Sequence, residues 1–263
     1  MRLDHRIDFM LLVSVSNADP NGDPLRNGMP RTDGRGYGII SPVCIKRKLR
    51  DRLAEMGEEI FVAPPGEDCG SLSERAALLA AGDDYSRRAC QKWYDVRAFG
   101  QIFMFQGVRC PGVRGAVTIQ PAFSVDPVEI VDMGVTRCIH SDPGKRSAAM
   151  GRVHMVKFGL YVIKGSVNAL AAGKNGFSAE DAEKLRRAML HLFDNDSSAA
   201  RPAGSMEVRR LYWWEHKSIS GEIPAGKVFR TVILRNTGKK PLDFSDYQIT
   251  HEPFDGLVPV IYE

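Results

Sequence analysis

The sequence lacks the patterns that mark a metal centre, a secreted protein or a membrane protein. Its six His form no H-E-x-x-H motif or other close pair, and its five Cys include no C-x-x-C pair. These absences argue against a zinc site, and an odd number of Cys fits reduced thiols. No apolar run is long enough to cross a bilayer, and no apolar segment typical of a signal peptide follows Met1. We expect a cytoplasmic protein that binds no metal or cofactor and no membrane.

A second absence concerns internal boundaries. The 263 residues contain no fixed-period repeat and no linker rich in Pro, Gly and Ser between two complete halves. Apolar residues make up 43% and charged residues 26% of the chain, which is the profile of a globular protein rather than a disordered one. We therefore expect residues 1–263 to form one domain.

The net charge is also low, at +4, but the charges are segregated. Residues 44–52 carry five basic side chains and one acidic one, whereas residues 53–84 carry eight acidic side chains and one basic one. Residues 134–157 form a second basic cluster, with five basic side chains and one acidic one. Two basic clusters beside an acidic segment indicate a surface that binds a polyanion, although a solvated charged surface would produce the same counts.

Hydrophobic periodicity predicts the first strand and the helix that follows it. Residues 6–16 alternate and then become continuously apolar, as in a buried central strand. Ser41 and Pro42 suit the N-cap and the first position of a helix, and Gly57 suits its end. Between them lies an apolar stripe with helical spacing: Ile45, Leu49, Leu53 and Met56.

The rest of the chain predicts a mixture of helices and strands. A capping box at Ser71 starts a second helix that extends, with one break, to Tyr94, and residues 178–193 form a capped amphipathic helix. Residues 126–152 are irregular and rich in Pro, Gly, Ser and charge. Strand patterns cover residues 99–105, 113–125, 153–167, 207–216 and 227–236. The order of these elements predicts an α+β fold with a ferredoxin-like core and insertions.

The segment after the first strand, NADPNGDPLRNGMPRTDGRGYG (residues 17–38), is rich in Asp, Asn, Gly and Pro. It partly matches a calcium-binding loop, but Gly28 stands where that loop needs a bidentate Glu. Asp19, Asp23 and Asp33 could instead hold Mg²⁺ for phosphoryl chemistry, yet Asp is also an ordinary turn residue. A metal site and a catalytic site are therefore the weaker interpretations, and the Asp residues are expected to shape turns and hold nearby Arg.

The stronger interpretation is a backbone-rich cradle for an anion. Glycines that precede a helix N-terminus let backbone N–H groups approach a negative charge. The following helix carries basic residues on a flank away from its apolar stripe, and a row of cations along a helix can follow successive phosphates of a nucleic acid strand. Lys48 is expected only to solvate this helix. The basic residues of the flank and the loop are Lys46, Arg47, Arg50, Arg26 and Arg31.

These residues resemble a known family. An apolar first strand is followed by N-x-D-P-N-G-D-P, then N-x-x-P-R-x-D, a G-x-G turn and C-I-K-R-K-L-R-D. This order is similar to that of the CRISPR-associated Cas-seven family in its Csd-two/Csh-two branch, the backbone subunit of type I Cascade complexes, and is most like subtype I-C. The likeness is densest between Asp8 and Asp51, with weaker support from Asp95–Phe105.

The resemblance implies a fold and a role. The family has an RRM-like (ferredoxin-like) core with a protruding thumb. Its copies stack along the CRISPR RNA, and each thumb kinks the duplex that the guide forms with the target DNA strand. Base pairing then reads the sequence while the protein reads the backbone. The implied partners are CRISPR RNA, the target DNA strand, other copies of the chain, and the large, processing and small subunits of Cascade.

The resemblance also assigns residues to these roles, with residues 126–152 in the thumb position. Met150 or Met133 is the candidate wedge between bases, although either could fill the core, and Arg97 and Arg114 could be structural ion-pair partners. RNA contacts are implied for Asn17, Asn21, Arg26, Asn27, Arg31, Lys46, Arg47, Arg50, Arg97, Arg114, Arg137, Lys145, Arg146, Met150 and Arg152.

Two other functions fit the sequence less well. Related backbone subunits of type III complexes cut RNA with an Asp near the thumb; Asp126 and Asp142 are the candidates for a metal-dependent RNA endonuclease here. A monomeric RRM-like protein is the other rival, but the RRM signature K/R-G-F/Y-G/A-F-V-x-F/Y does not occur. We expect a non-catalytic RNA-binding subunit that forms oligomers.

Overall fold

The first strand, β1 (Ile7–Ala18), is the centre of the fold because it is buried on both sides. Phe9 and Leu11 belong to the core on one face of the sheet, and Met10 and Leu12 belong to the core on the other. All four side chains are at most 1% exposed. A strand that is apolar on both faces is typical of the middle of a covered sheet. The predicted buried central strand is therefore confirmed.

The computed structural model describes residues 1–66, 70–79, 82, 84–105, 110, 112–136, 150–238 and 240–263, with the backbone alone at Met150. Within these residues, the strands after β1 are β2 (Gly22–Asp23), β3 (Met29–Pro30), β4 (Tyr37–Ile40), β5 (Val117–Ile119), β6 (Ala122–Pro127), β7 (Ile130–Thr136), β8 (Met150–Val167), β9 (Met206–Glu215), β10 (Val232–Asn236), β11 (Tyr247–His251) and β12 (Val260–Tyr262). The helices are α1 (Pro42–Glu55), α2 (Leu72–Ala77), α3 (Tyr85–Lys92), α4 (Tyr94–Phe99), α5 (Ala169–Asn175), α6 (Ala179–Leu190) and α7 (Ala225–Phe229). None of these helices is long and apolar enough to cross a membrane.

A large antiparallel sheet is built around β1, in the order β12-β9-β1-β8-β6-β4. β8 is the longest strand, with 18 residues, which at a rise of about 3.3 Å per residue gives a length of roughly 60 Å. One part of β8 pairs with β1, from Val167 opposite Ile7 to Val156 opposite Ala18. Residues 150–155 pair with β7 and with no other described strand. β7 and this end of β8 therefore form a two-stranded arm that extends from the sheet.

The expectation that residues 126–152 are irregular is wrong for the part that forms the arm. Residues 130–136 and 150–152 are strand. Val131, Met133 and Val135 alternate with residues that are polar or Gly, which is the period of a strand with one apolar face. The surrounding Pro, Gly and charge obscured this short pattern. Residues 137–149 lie outside the described residues.

The two predicted helices next to the sheet are confirmed together with their caps. The Ser41 hydroxyl accepts a backbone hydrogen bond at 3.2 Å at the start of α1, and Gly57, just beyond its end, has a φ of +90°. In α6, Ser178 and Asp181 form a capping box. The buried apolar side chains of both helices lie in the same core as Phe9. These helices therefore cover the first face of the sheet.

The C-terminal part of the chain covers the second face. α7 and the β10–β11 hairpin pack there, with Val228 and Tyr247 in the second core. Trp214 lies in this core and is 1% exposed, whereas its neighbour Trp213, 3% exposed, lies in the first core. Trp213 stacks on Phe9 with ring centroids 6.0 Å apart. Adjacent tryptophans on β9 thus anchor opposite faces of one sheet, as the alternation of a strand requires.

Three predicted elements have different boundaries. The predicted strand at residues 227–236 begins as α7, and only residues 232–236 are strand. Apart from one isolated bridge, residues 99–105 are not strand: Phe103 packs on Phe61, with ring centroids 5.3 Å apart, in a separate aromatic core. The predicted second helix has its capping box and its break, between α2 and α3, but it ends at Lys92, and a separate helix, α4, begins at Tyr94. Short apolar runs do not distinguish a strand from a buried segment of another kind.

A buried carboxylate joins α1 to α4. Asp95, 1% exposed, accepts hydrogen bonds from Nε of Arg50 at 2.7 Å and from the backbone N–H groups of Phe61 and Val62 at 2.7 and 3.0 Å. These donors replace the water that the carboxylate loses on burial, and a buried charge without such partners is costly. The contacts of Asp95 therefore hold α1, α4 and the segment around Phe61 together.

We expect Asp95→Ala to lower the free energy of unfolding by about 3–5 kcal/mol, because it leaves the charge of Arg50 buried without a partner. The matched control is Asp51→Ala. Asp51 pairs with Arg47 on the same helix but is 51% exposed, so its loss should cost less than about 1 kcal/mol. Urea denaturation followed by circular dichroism measures both values. Equal, small losses in the two variants would contradict the structural role of Asp95.

Candidate nucleic-acid interface

Three aspartates fold the loop between β1 and β4 into turns. Asp19, Asp23 and Asp33 each accept a hydrogen bond from the backbone N–H two residues further along, at 3.0, 3.1 and 2.8 Å. Asp23 also pairs with Arg31 at 3.4 Å, and Asp33 pairs with Arg35 at 3.2 Å. The expectation that these residues shape turns and hold nearby arginines is confirmed. Among the described residues, no group of three or more His, Cys, Asp or Glu is placed to bind a metal ion.

Asn21 connects this loop to the start of α1. Its Oδ1 accepts a hydrogen bond from the backbone N–H of Ser41 at 2.9 Å, and its carbonyl accepts one from the N–H of Arg31 at 3.1 Å. Asn17 and Asn27 have φ angles of 51° and 54°, a conformation that Asn adopts more readily than most residues. Asn21 therefore has a structural task, while other side chains of the loop are exposed: Asn17, Arg26 and Asn27.

On α1, two of the predicted contacts share one aromatic ring. Nζ of Lys46 lies 5.4 Å and the Arg50 guanidinium 5.2 Å from the centroid of Phe99. Arg50 is 12% exposed and is held by Asp95. Burial lowers the pKa of Lys46, and the charge of Arg50 lowers it further, with no carboxylate among its described neighbours to oppose them. A bound phosphate would stabilise the charged form of Lys46.

Other basic side chains of α1 are paired within the chain. Arg47 forms an ion pair with Asp51 one turn further along the helix. Lys48 is 6% exposed and forms an ion pair with Asp196. The expectation that Lys48 only solvates the helix is therefore wrong. The helical pattern could not show this, because Asp196 belongs to a segment that reaches α1 only in the folded chain.

The two arginines outside the loop and α1 have different surroundings. Arg97, 13% exposed, donates to Asp181 at 2.8 and 3.1 Å and to Glu58 at 3.3 Å, and so joins α4 to α6. Arg114 is exposed and has no carboxylate partner among the described residues. An RNA contact at Arg97 or Arg50 would require these ion pairs to exchange, whereas Arg114 needs no such change.

Lys46 and Arg114 line the same cleft, which has a volume of about 640 Å³. Its walls are α1, the segment after α4 and residues 113–119, and the described lining contains no Asp or Glu. A Cβ on Gly115 would lie 2.3 Å from the carbonyl carbon of Phe99, so the two walls meet only because this residue is Gly. We call this the α1 cleft. Cations without a counter-charge in a concave site produce a positive potential that attracts a polyanion.

The arm meets the loop near Asp19. Burial raises the pKa of Asp19, an effect that its turn hydrogen bond and the nearby Arg201, His154 and Arg31 oppose. Arg152 is exposed on the arm. Met133 is also exposed, by 48%. The remaining predicted contacts of the thumb lie outside the described residues: Arg137, Lys145, Arg146 and the side chain of Met150.

Sequence reasoning missed the roles of Asp95 and Phe99. Both lie in the run D-V-R-A-F, at residues 95–99, which contributed only weakly to the resemblance. Phe99 ends α4 and its ring contacts two cations of α1, while Asp95, in the first turn of the same helix, pairs with one of them. Nothing in the local pattern pairs these residues with α1. Of the two nuclease candidates, Asp126 accepts a hydrogen bond from the Tyr247 hydroxyl at 2.9 Å, and Asp142 lies outside the described residues.

Comparisons with known proteins agree with one another. Residues 5–252 match the family model described as CRISPR-associated protein Cas7. A Haloferax volcanii protein named CRISPR-associated protein Cas7 is 24% identical over 238 residues, which cover 79% of this chain and 69% of that protein. A chain in a structure titled "CRISPR RNA-guided surveillance complex, pre-nicking" aligns with a TM-score of 0.54 at 15% identity. The alignment covers 80% of this chain and 78% of that chain. A chain in a structure titled "CRISPR RNA-guided surveillance complex" aligns with a TM-score of 0.55 at 17% identity. This alignment covers 89% of the present chain and 77% of the other. These two chains share the mixed α/β fold, and the family match over nearly the whole length shows that this chain belongs to the CRISPR-associated protein Cas7 family.

Proposed function

We propose that the chain is a guide-RNA-binding backbone subunit of a type I CRISPR Cascade surveillance complex, in the Csd-two/Csh-two branch and of subtype I-C. The α1 cleft carries this proposal, because Lys46 and Arg114 line it without any described carboxylate. A phosphate backbone supplies the counter-charge that such a cleft lacks. Membership of the Cas7 family and the titles of the similar structures support the same role.

The order of the central strands supports an RRM-like core. The strands β9-β1-β8-β6 are neighbours in that order, α1 lies between β1 and β6 along the chain, and α6 lies between β8 and β9. With the other strands left out, these elements follow the β-α-β-β-α-β succession that a ferredoxin-like fold has. We propose that residues 1–263 form one such domain and that the arm is the thumb within residues 126–152.

In this proposal, several copies line up along the CRISPR RNA in the cytoplasm. They hold the guide for pairing with the target DNA strand, and the arm kinks the duplex at regular intervals. The large, processing and small subunits of Cascade complete the assembly. The chain itself is non-catalytic, and RNA is contacted by the predicted loop and arm residues, among which Asn17, Arg26, Asn27 and Arg152 are exposed.

The first test is the salt dependence of binding. We expect Lys46→Gln and Arg114→Gln each to weaken binding of unrelated RNA sequences alike. Each should also flatten the slope of log affinity against log salt by about 0.7, the contribution of one phosphate on a single strand. Fluorescence anisotropy with two labelled RNAs of different sequence measures both effects.

The matched control for this test is Lys227→Gln, which removes an exposed lysine from α7. It should leave affinity and slope close to those of the unmodified chain. A folded Lys46→Gln protein with an unchanged slope would contradict a phosphate contact at this position.

The second test concerns the arm. We expect replacement of residues 137–149 by a short Gly-Ser linker to leave the core folded, because the described core residues lie elsewhere. In assemblies formed with a guide RNA and the other subunits, the same change should remove the periodic protection of the guide from nuclease. Footprinting of the two assemblies decides the matter, and identical periodic protection would show that the thumb is another element.

A further inference from the structure

A part of the second face of the sheet is left uncovered beside the C-terminal elements. Phe123 on β6 pairs in the ladder with Val162 on β8 and with Ile39 on β4. Its neighbour Ala122 belongs to the first core, so the alternation of the strand directs Phe123 to the opposite face. Phe123 is 45% exposed although it occupies an interior position of the sheet. An aromatic ring therefore lies open on the sheet surface, with half-buried apolar side chains beside it.

A lysine without a counter-charge stands next to this ring. Lys164 follows Val162 by two residues on β8 and so lies on the same face. Its Nζ is 6.0 Å from the centroid of Phe229, and it has no carboxylate partner among the described residues. Burial lowers the pKa of Lys164, as expected for a half-buried cation that no carboxylate compensates.

Together these residues line a cleft of about 460 Å³, which we call the sheet cleft. Gln120, Pro121 and the largely buried Ser124 complete its described lining, and no Asp or Glu is present. An open aromatic ring and an uncompensated cation are the groups that hold a nucleotide of a single strand: the base stacks and the phosphate pairs with the cation. A purely apolar partner would leave Lys164 uncompensated.

The sheet cleft and the α1 cleft share one stretch of chain. Residues 117–119 line the α1 cleft, and the residues that follow at once, from Gln120 to Ser124, line the sheet cleft. β5 is itself an edge strand, and the hydroxyl group of its exposed Thr118 lies 3.0 Å from that of Ser166 on β8. A nucleic acid strand that leaves Lys46 can therefore cross this edge past neutral hydroxyl groups and reach Lys164. On this path it meets no carboxylate in the described lining of the α1 cleft or the sheet cleft.

We propose that the sheet cleft is a second contact for single-stranded nucleic acid, in which a base stacks on Phe123 and a phosphate lies at Lys164. The inference rests on the proposed function, because it extends the path of a strand held at the α1 cleft. The chemistry is shared by a segment of guide RNA and by single-stranded DNA, so the test includes both.

The test measures the affinity of the full chain for labelled oligouridine and oligothymidine of increasing length. Phe123→Ala and Lys164→Gln should each weaken binding roughly tenfold, the order expected for the loss of one stacked base or one phosphate contact. The loss should be absent for oligonucleotides too short to extend beyond the α1 cleft. Phe123→Tyr keeps the ring and should bind as the unmodified chain does. The stronger of the two length-dependent losses identifies RNA or DNA as the natural occupant.

Two matched controls remove exposed side chains that line neither cleft. Phe254→Ala removes a phenylalanine that is 38% exposed in the C-terminal segment, and Lys227→Gln removes an exposed lysine from α7. Neither should change affinity. As a direct readout, photo-crosslinking with 5-iodouridine in the RNA should attach it to the peptide that contains Phe123.

The outcomes separate this inference from the proposed function. If Phe123→Ala and Lys164→Gln fold and bind like the controls while Lys46→Gln weakens binding, the sheet cleft is not a nucleic acid site and the proposed function stands. If the unmodified chain binds neither RNA nor DNA, both fail. If the two variants change only the self-association of the chain in sedimentation experiments, the cleft is a protein interface and the proposal is wrong.

Discussion

The buried carboxylate of Asp95 is the contact on which the geometry of the α1 cleft depends. It accepts hydrogen bonds from Arg50 and from two backbone N–H groups, so its charge is compensated where water is excluded. This fixes α4 against α1 and places Phe99, at the end of α4, below Lys46. The ring of Phe99, and no described carboxylate, lies beside Nζ of Lys46. The same arrangement therefore stabilises the fold and leaves one cation available.

The basic side chains divide into two groups by their partners. Arg47, Lys48, Arg50 and Arg97 form ion pairs within the chain, and all of these pairs except that of Arg47, which stays within α1, join helices or distant segments. In the described part of the chain, three other cations have no carboxylate partner and line the α1 cleft or the sheet cleft: Lys46, Arg114 and Lys164. A net charge of +4 is small, but unpaired cations concentrated in clefts without acids produce a strong local potential. The distribution of partners, more than the number of bases, favours a polyanion as the ligand.

The length of β8 links the core, the arm and both clefts. Its C-terminal part pairs with β1 and β5, its middle with β6, and its first residues with β7. Because a strand is straight over short distances and its hydrogen bonds fix register, the position of the arm follows from the position of the core. Lys164 and the arm therefore lie on one continuous element, and a nucleic acid strand that bound along β8 would contact both.

The sequence by itself determined the elements whose signals are local. The period of β1, the Ser41 and Pro42 start of α1 and the capping box of α6 each depend on residues within a few positions of one another, and the structure has all three. The residues from Asp8 to Asp51 also sufficed for the family, which the match over residues 5–252 confirms. Tertiary structure alone decided which cations are committed to the fold. Arg50 and Asp95 are 45 positions apart, and Lys48 and Asp196 are 148 apart. No local pattern encodes such partners, because a basic residue on a helix looks the same in sequence whether its counter-charge is a distant carboxylate or a phosphate.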